Sequence, residues 1–460
     1  MRRSPLAMTL TRTEREMMSL RRELRTIRLL AAPVVATQLA SVMLGVVDTL
    51  MLGHHSKEAL AASAVGRVWV FGTLIVAQGL LLGLDPLISQ AHGRGDKERL
   101  GTALQGGLCL TFLVSIPLAV MWLFTEDVLG ALGVTEELRR LAGPYATAQI
   151  VGIPFYLGFH TLRSWLQGRG IMRPAMWIVL IANGFNVLAN WALIYGHLGF
   201  DALGVKGAGY ATALTQVFML LGLVAFVRAF QLQRGAWCAW SVRAWHEARE
   251  VIRLGLPIGV QFGLEVWAFK IATLMCAELG TDEVAAHSIV LTLASLSFMV
   301  PLGVSIGTAT RVGNLIGARQ CATAQVASSA GILLGGAAMA VFALLFVAGR
   351  GVLPRLFTDE PGVVLIAAAV LPIAAAFQLF DGVQVVASGV LRGMGRTRIL
   401  AIVHLIAFYL LGLPLAWYLG FEQGLGVEGI WWGLASGLGV VALMLVVWVL
   451  RRGPATMEAS

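Results

Sequence analysis

Charge is what these 460 residues lack: Asp, Glu, Lys and Arg make up 13%, against about 25% in a soluble globular domain. Lysine is scarcest, at four of the 34 basic residues, which reads as a bias of genome composition and not as chemistry. Cysteine is nearly absent too. Cys109, Cys238, Cys276 and Cys321 lie far apart, with no CxxC and no histidine at metal-ligand spacing. That excludes a disulfide framework and a zinc site, and reduced structural thiols are expected. No HExxH, P-loop or EF-hand pattern occurs, so no protein-bound metal or organic cofactor is expected. Apolar residues fill the space: AVILMFWYC reach 58% before the 53 glycines are counted, and mean hydropathy is +0.79. So few charges cannot clothe the two or three water-soluble cores that this length would suggest. A cytosolic enzyme, a disordered scaffold and a secreted disulfide protein are excluded. A multi-pass membrane protein remains.

Apolar stretches recur, each long enough for the roughly 20 residues of a spanning helix. They are 29–53, 60–84, 98–124, 141–162, 174–196, 208–230, 252–276, 284–308, 325–349, 363–390, 399–420 and 429–450. The expected fold is all-α, with twelve transmembrane helices. Residues 1–28 are basic and carry neither an apolar run nor a small-residue cleavage site. They read as a cytoplasmic arm and not a signal peptide, with Met8 and Met17 as alternative starts.

The net charge of +9 could suggest nucleic acid, but its placement argues otherwise. One set of alternating loops, with both termini, holds 26 Lys and Arg residues. The opposite loops hold six (Lys57, Arg139, Arg140, Lys206, Arg350, Arg355), beside acids such as Glu126, Asp127, Asp282, Glu283, Asp359 and Glu422. By the positive-inside rule both termini are cytoplasmic, in a cytoplasmic (inner) membrane. The surplus is spread over short loops, so no nucleic-acid partner is expected.

An internal repeat organises the chain. Residues 30–66 align with 254–290 without a gap, at an offset of 224 that carries Pro33 onto Pro257 and Thr49-Leu50-Met51 onto Thr273-Leu274-Met275. The same offset carries Gly79, Gly83 and Gly93 onto Gly303, Gly307 and Gly317. Leu166–Gly170 then falls on Leu391–Gly395 at 225, and Leu203–Gly207 on Leu425–Gly429 at 222. The division expected is an arm at 1–28, a first lobe at 29–230, a cytoplasmic linker at 231–248, a second lobe at 249–450 and a tail at 451–460. Six helices per half is an even number, so the halves are parallel repeats about an axis along the membrane normal. A cleft between two such halves is what alternating access requires. A static pore or a single-site enzyme has no need of it.

Ionisable residues inside a bilayer are costly and functional by default. Asp48, Glu265 and Asp381 are the acids within the apolar segments, and Arg67 and Lys270 are the cations available to them as charge partners. Asp48 aligns with Ala272 and Glu265 with Ser41, so the acids are not remnants of duplication. A carboxylate taken out of water has its ionised form disfavoured and can exchange a proton near neutrality. Na⁺ would instead gather several oxygens. The bland reading of each acid is a buried ion pair or a water-lined seam, and that of Lys270 is snorkelling to the interface. Lys270 follows Glu265 by five residues, about 140° round a helix, so the two do not face each other.

The segments VDTLMLGHHSKEALAA, SQAHGRGD, NVLANWALIYG, GVKGAGYATA, GLPIGVQFGLEV, EVAAHSIV and FQLFDGVQVVASGVLRGMGRTR occur in that order. With them the chain resembles the multidrug and toxic compound extrusion (MATE) transporters of the NorM-like branch, over essentially its whole length. The resemblance implies two six-helix lobes forming a V and a cation-coupled antiporter that exports organic, often cationic, drugs or metabolites. It implies coupling roles for Asp48, Glu265, Asp381 and Asp359, and paired asparagines at Asn186 and Asn190. Those asparagines are i, i+4 on one helix face and could both reach Asp48, forming a polar site in the first lobe. Glu265 and Asp381 would share a cation in the second, with Na⁺ or H⁺ as coupling ion. Arg67 and Lys270 depart from the expected pattern, and either would oppose simple protonation coupling by neutralising an acid.

Weaker signals have structural readings. Gly303-Val-Ser-Ile-Gly307 fits GxSxG but sits inside an apolar segment, where small-residue helix packing explains it. His54, His55, His92, His197 and His246 fall near loops, while His160, His287 and His404 are placed in the lobes with structural roles. The 13 tryptophans mainly anchor helix ends. A lipid-linked precursor flippase is the alternative function; it would want a strongly cationic cavity, for which Arg67 and Lys270 alone are candidates. An intramembrane enzyme is a lower alternative, with no nucleophile–base set to support it. The expected partners are small organic cations and the lipid bilayer, and the chain is expected to be monomeric.

Overall fold

The structure, a computed structural model, describes residues 12–458, and all their regular secondary structure is helical. Among these described residues eleven helical runs are long and apolar enough to cross a membrane. The longest are α1 (Arg12–His55), α10 (Arg243–Leu279), α11 (Thr281–Gly317) and α13 (Pro361–Met394). The segment expected at 141–162 is the exception. It is divided into α6 (Glu136–Ala148), a 3₁₀ turn at Ile150–Gly152 and α7 (Ile153–Gly168). Pro154 enters α7 at its first turn, where it cannot donate to the preceding carbonyl ladder. The Gln149 Nε2 donates to the Tyr145 carbonyl at 3.1 Å and so occupies one acceptor that the break leaves open.

The basic arm expected at 1–28 is helical from Arg12 on, continuous with the first span, because its Met, Leu, Arg and Glu content favours helix without needing lipid. Residues 1–11, with Arg2, Arg3 and Met8, lie outside the described residues, as do 459 and 460 of the tail. Elsewhere helix limits follow local signals. Ser56 Oγ accepts from the Ala59 amide at 3.0 Å to start α2 (Lys57–Leu81). Asp96 Oδ1 accepts from the Arg99 amide at 3.0 Å to start α4 (Lys97–Leu123). The repeat-related Gly170 and Gly395 take φ of 78° and 76°, a left-handed turn that explains why both halves keep glycine there.

The chain forms two compact units. One takes Ala36–Trp267 and Gly395–Ile402; the other takes the chain up to Val35, Ala268–Met394 and everything from Val403. The cut therefore passes through α1 and α10 and differs from the expected halves at 29–230 and 249–450. Small residues give the reason. In the first unit Gly83, at the end of α2, faces α10, where a Cβ would stand 2.6 Å from the Gly255 nitrogen. In the second, Gly303 and Gly307 of α11 face α1, where their Cβ atoms would stand 2.9 Å from the Val35 nitrogen and 3.2 Å from the Ala31 nitrogen. Ala31 and Val35 are the repeat partners of Gly255 and Gly259, so one seam is built twice. The GxSxG pattern is thus a packing face, and Ser305 is a buried side chain donating to the Val385 carbonyl at 2.6 Å.

The first unit fully buries Trp122 of α4 against α2 and Trp165 of α7 against the start of α4. Their indoles donate to Thr73 Oγ1 at 2.9 Å and to the Leu100 carbonyl at 3.0 Å, so neither leaves a buried donor open. In the second unit α11, α12 (Cys321–Gly349), α13 and α16 (Gly426–Arg452) pack round buried alanines and glycines.

Candidate functional site

The first unit holds the better-defined polar site. α8 (Arg173–Tyr195) carries Asn186 and Asn190 one turn apart, both buried. α9 (Gly204–Ala229) carries Thr212 and Thr215. Asp48 comes from α1 and is 5% exposed. Asn190 Nδ2 donates to Asp48 Oδ1 at 2.6 Å and to Asn186 Oδ1 at 3.2 Å. Thr212 Oγ1 donates to Asp48 Oδ2 at 3.1 Å. Asn186 Nδ2 reaches Thr215 Oγ1 at 3.4 Å, and the Thr215 hydroxyl donates onward to the Ala211 carbonyl at 2.7 Å. Every donor that reaches the carboxylate is neutral, and Asn190 Oδ1 has no hydrogen-bond partner among the described residues. The site therefore gathers two carboxylate oxygens, amide oxygens and hydroxyls in a water-poor volume, a donor set suited to a proton or a small hard cation.

Arg67 does not pair with Asp48. Its guanidinium donates to the Gly45 carbonyl at 2.9 Å and to Thr49 Oγ1, closing the same stretch of α1 from the side of α2. Its charge still acts on the Asp48 carboxylate from nearby, but its hydrogen bonds go to backbone and hydroxyl, while the asparagines and Thr212 occupy the carboxylate.

Asp381 lies in the second unit on α13, 5% exposed, and accepts from Gln384 Nε2 at 3.1 Å. One turn earlier, Gln378 donates through Nε2 to Ser297 Oγ. The Oε1 atoms of Gln378 and Gln384 have no hydrogen-bond partner among the described residues. Asp381 thus also sits among amides. Glu265 is half-buried on α10 and belongs to the unit that contains Asp48. Lys270, further along the same helix, is exposed and belongs to the other unit. Asp359 is exposed in the stretch just before α13. Asp381 lies some 20 residues into that helix, about 30 Å along its axis, so the structure does not bring these two acids together.

Sequence reading missed several members. Thr212 and Thr215 have no signal of their own, because a threonine in a spanning helix usually bonds its own backbone. Gln378 and Gln384 stand three residues either side of Asp381, a spacing that could have found them. Arg163 and Arg392, two of the 26 basic residues that the sequence places on the cytoplasmic side in alternating loops, are buried in α7 and α13 instead, because both helices run on past the apolar segment. Arg163 donates to Gln38 Oε1 at 3.4 Å, and Arg392 donates to Ser305 Oγ at 2.8 Å. Among the described residues no three His, Cys, Asp or Glu gather as a metal site.

The comparisons agree with this architecture. The MatE family pattern matches residues 33–192 and 257–418, two stretches that begin 224 residues apart, the offset of the internal repeat. The chain is 34% identical over 433 residues to the multidrug resistance protein NorM of Vibrio vulnificus, spanning 92% of this chain and 95% of that protein. It is 36% identical over 445 residues to a probable multidrug resistance protein NorM of Mesorhizobium japonicum, spanning 94% of each. With the multidrug resistance protein PmpM of Pseudomonas aeruginosa it shares 34% over 444 residues, 94% of this chain and 92% of that one. Among solved structures, the eukaryotic MATE transporter AtDTX14 superposes with a TM-score of 0.89 at 25% identity, over 96% of this chain and 98% of that chain. Matched through both halves and along nearly its whole length, the protein is a member of the MatE family, a many-span membrane transporter and not an enzyme.

Proposed function

We propose that this protein is a cation-coupled antiporter of the bacterial inner membrane, with both termini cytoplasmic, that exports small organic cations by alternating access. The observation that carries the reading is Asp48: a buried carboxylate held by neutral donors, with an open amide oxygen next to it. Such a group exchanges a proton or accepts a small cation without dismantling an ion pair. Asp381 among its glutamines is a second group of the same kind, and Glu265 is a third carboxylate within the helices. A cation drives export only through differential affinity for the two conformational states, so the mechanism is competition: cation binding disfavours the drug-loaded outward state, and release inward resets the transporter. The relatives named for multidrug resistance support drugs as the cargo. The monomer is the functional unit, and H⁺ or Na⁺ is the driving ion.

The test is uptake of a fluorescent organic cation into proteoliposomes under an imposed pH or Na⁺ gradient. Asp48→Asn, Asp381→Asn and Glu265→Gln are each expected to abolish gradient-driven transport while leaving membrane insertion intact. Full transport by all three variants would overturn the reading. So would transport that ignores both gradients.

A further inference from the structure

The connection between the halves is built unlike a water-facing loop. Residues 231–248 and the first turns of α10 lie along α4, and α4 holds them through backbone groups. The buried Gln105 donates through Nε2 to the Cys238 and Ala239 carbonyls, both at 3.0 Å, and accepts from the Ser241 amide at 3.2 Å. Gly101 and Gly106 make room for this. A Cβ on Gly101 would meet the Cys238 nitrogen at 2.9 Å, and one on Gly106 the Ala248 nitrogen at 2.8 Å. Arg169 donates to the Leu232 carbonyl at 2.8 Å, and Glu98 pairs with Arg243. The linker is therefore a seated element.

Its side chains are sorted against the usual order. The small ones face α4: Ala236, Ala244 and Ala248 are 2%, 0% and 4% exposed. The large apolar ones face away: Trp237, Trp240, Trp245 and Val242 are 56%, 63%, 58% and 86% exposed, and Phe230 at the linker's edge is 64% exposed. A surface element held against α4 that turns three indoles outward is made for a partner and not for bulk water. Arg228, Arg234 and Arg249 are exposed on the same stretch. α10 itself, at 37 residues, is about 55 Å long, well beyond the roughly 30 Å of hydrocarbon, so its first turns reach the headgroup layer.

We infer that the linker is a lipid-binding platform: its tryptophans seat in the membrane interface and its arginines select anionic phospholipid headgroups. Indole prefers the interface because one edge is apolar and its N–H is a donor. Guanidinium forms charge-assisted, bidentate bonds to phosphate. The linker joins two spanning helices, so it lies within reach of the bilayer surface. The proposed topology decides only which leaflet it meets, the cytoplasmic one.

The test uses the full-length protein in vesicles of phosphatidylcholine containing, at equal mole fraction, either phosphatidylglycerol or phosphatidylcholine brominated on the acyl chains. The linker's emission is the difference between wild type and the Trp237→Phe/Trp240→Phe/Trp245→Phe variant, which keeps an apolar ring at each position. That emission is expected to be quenched more strongly by the brominated phosphatidylglycerol. Arg234→Gln and Arg249→Gln should each lower the preference about fivefold. Arg451→Gln/Arg452→Gln, at the C-terminal end of α16, should leave it unchanged. Linker emission untouched by either lipid would overturn the inference, as would equal quenching by both or a preference that survives loss of Arg234 and Arg249. No transport is measured, so failure of the antiport reading and failure of this one are told apart. If the triple variant does not fold, the three single Trp→Phe variants give the same difference position by position.

Discussion

A Cβ placed on Gly79 of α2 would stand 2.6 Å from the Cα of Gly259 on α10. No side chain fits there, and the two helix backbones are in van der Waals contact. Gly79→Val is therefore expected to destabilise the protein by about 1–3 kcal/mol, the range for overpacking a filled interior. Gly72→Val, on the same helix with nothing within 4 Å of the new Cβ, is the control and should cost little. Thermal melting of the detergent-solubilised proteins, followed by size-exclusion elution, separates the two. Equal melting temperatures would show that the seam can part at no cost.

Glu23 on α1 and Arg311 on α11 form a bidentate pair at 2.7 and 2.8 Å, with the Glu23 side chain 2% exposed. Removing one partner of a buried pair strands the other, so Glu23→Ala should cost about 3 kcal/mol. Its repeat partner Glu247 approaches Arg99 through a single contact of 3.3 Å, and Arg99 is 35% exposed. Glu247→Ala should cost less than about 1 kcal/mol. The order of the two melting temperatures is the measurement, and its reversal would refute the assignment of strength.

At the polar site Asn190 and Thr212 are unequal donors to Asp48. Asn190 gives the carboxylate an undivided N–H at 2.6 Å, while Thr212 shares its single proton with the Ala208 carbonyl at 3.0 Å. Asn190→Leu should remove gradient-driven export nearly as completely as loss of the acid itself. Thr212→Val should retain most of it, with a stability change of about 1 kcal/mol. Export rates from both variants, normalised to protein in the membrane, decide this. Equal losses would place Thr212 on the same footing as Asn190.

Much of this was legible from residue order because the bilayer is a strict solvent. Spans 20 residues long, alternating basic loops and a 224-residue offset are imposed by hydrophobic thickness, insertion and duplication. The i, i+4 spacing put Asn186 and Asn190 on one face of α8, and the structure shows Asn190 donating to both Asp48 and Asn186, with Asn186 also beside the carboxylate. Interactions between segments distant in sequence stayed hidden. Thr212 follows Asp48 by more than 160 residues, and nothing local marks it. Arg163 and Arg392 looked like loop cations because apolar content falls where they stand, yet each is covered by neighbouring helices and bonded to a polar side chain. The pairing of α1 with α11 was half visible in the glycines of both repeats. What sequence could not say was which helix those glycines would receive.

The doubled seam makes each half depend on the other. Cut in the linker, neither half is self-sufficient: the first keeps Gly79 and Gly83 without α10 to close on them, and the second keeps Gly303 and Gly307 without α1. Each piece would carry away the helix that closes the other's glycine face, so the repeat is a mutual exchange of helices within one chain.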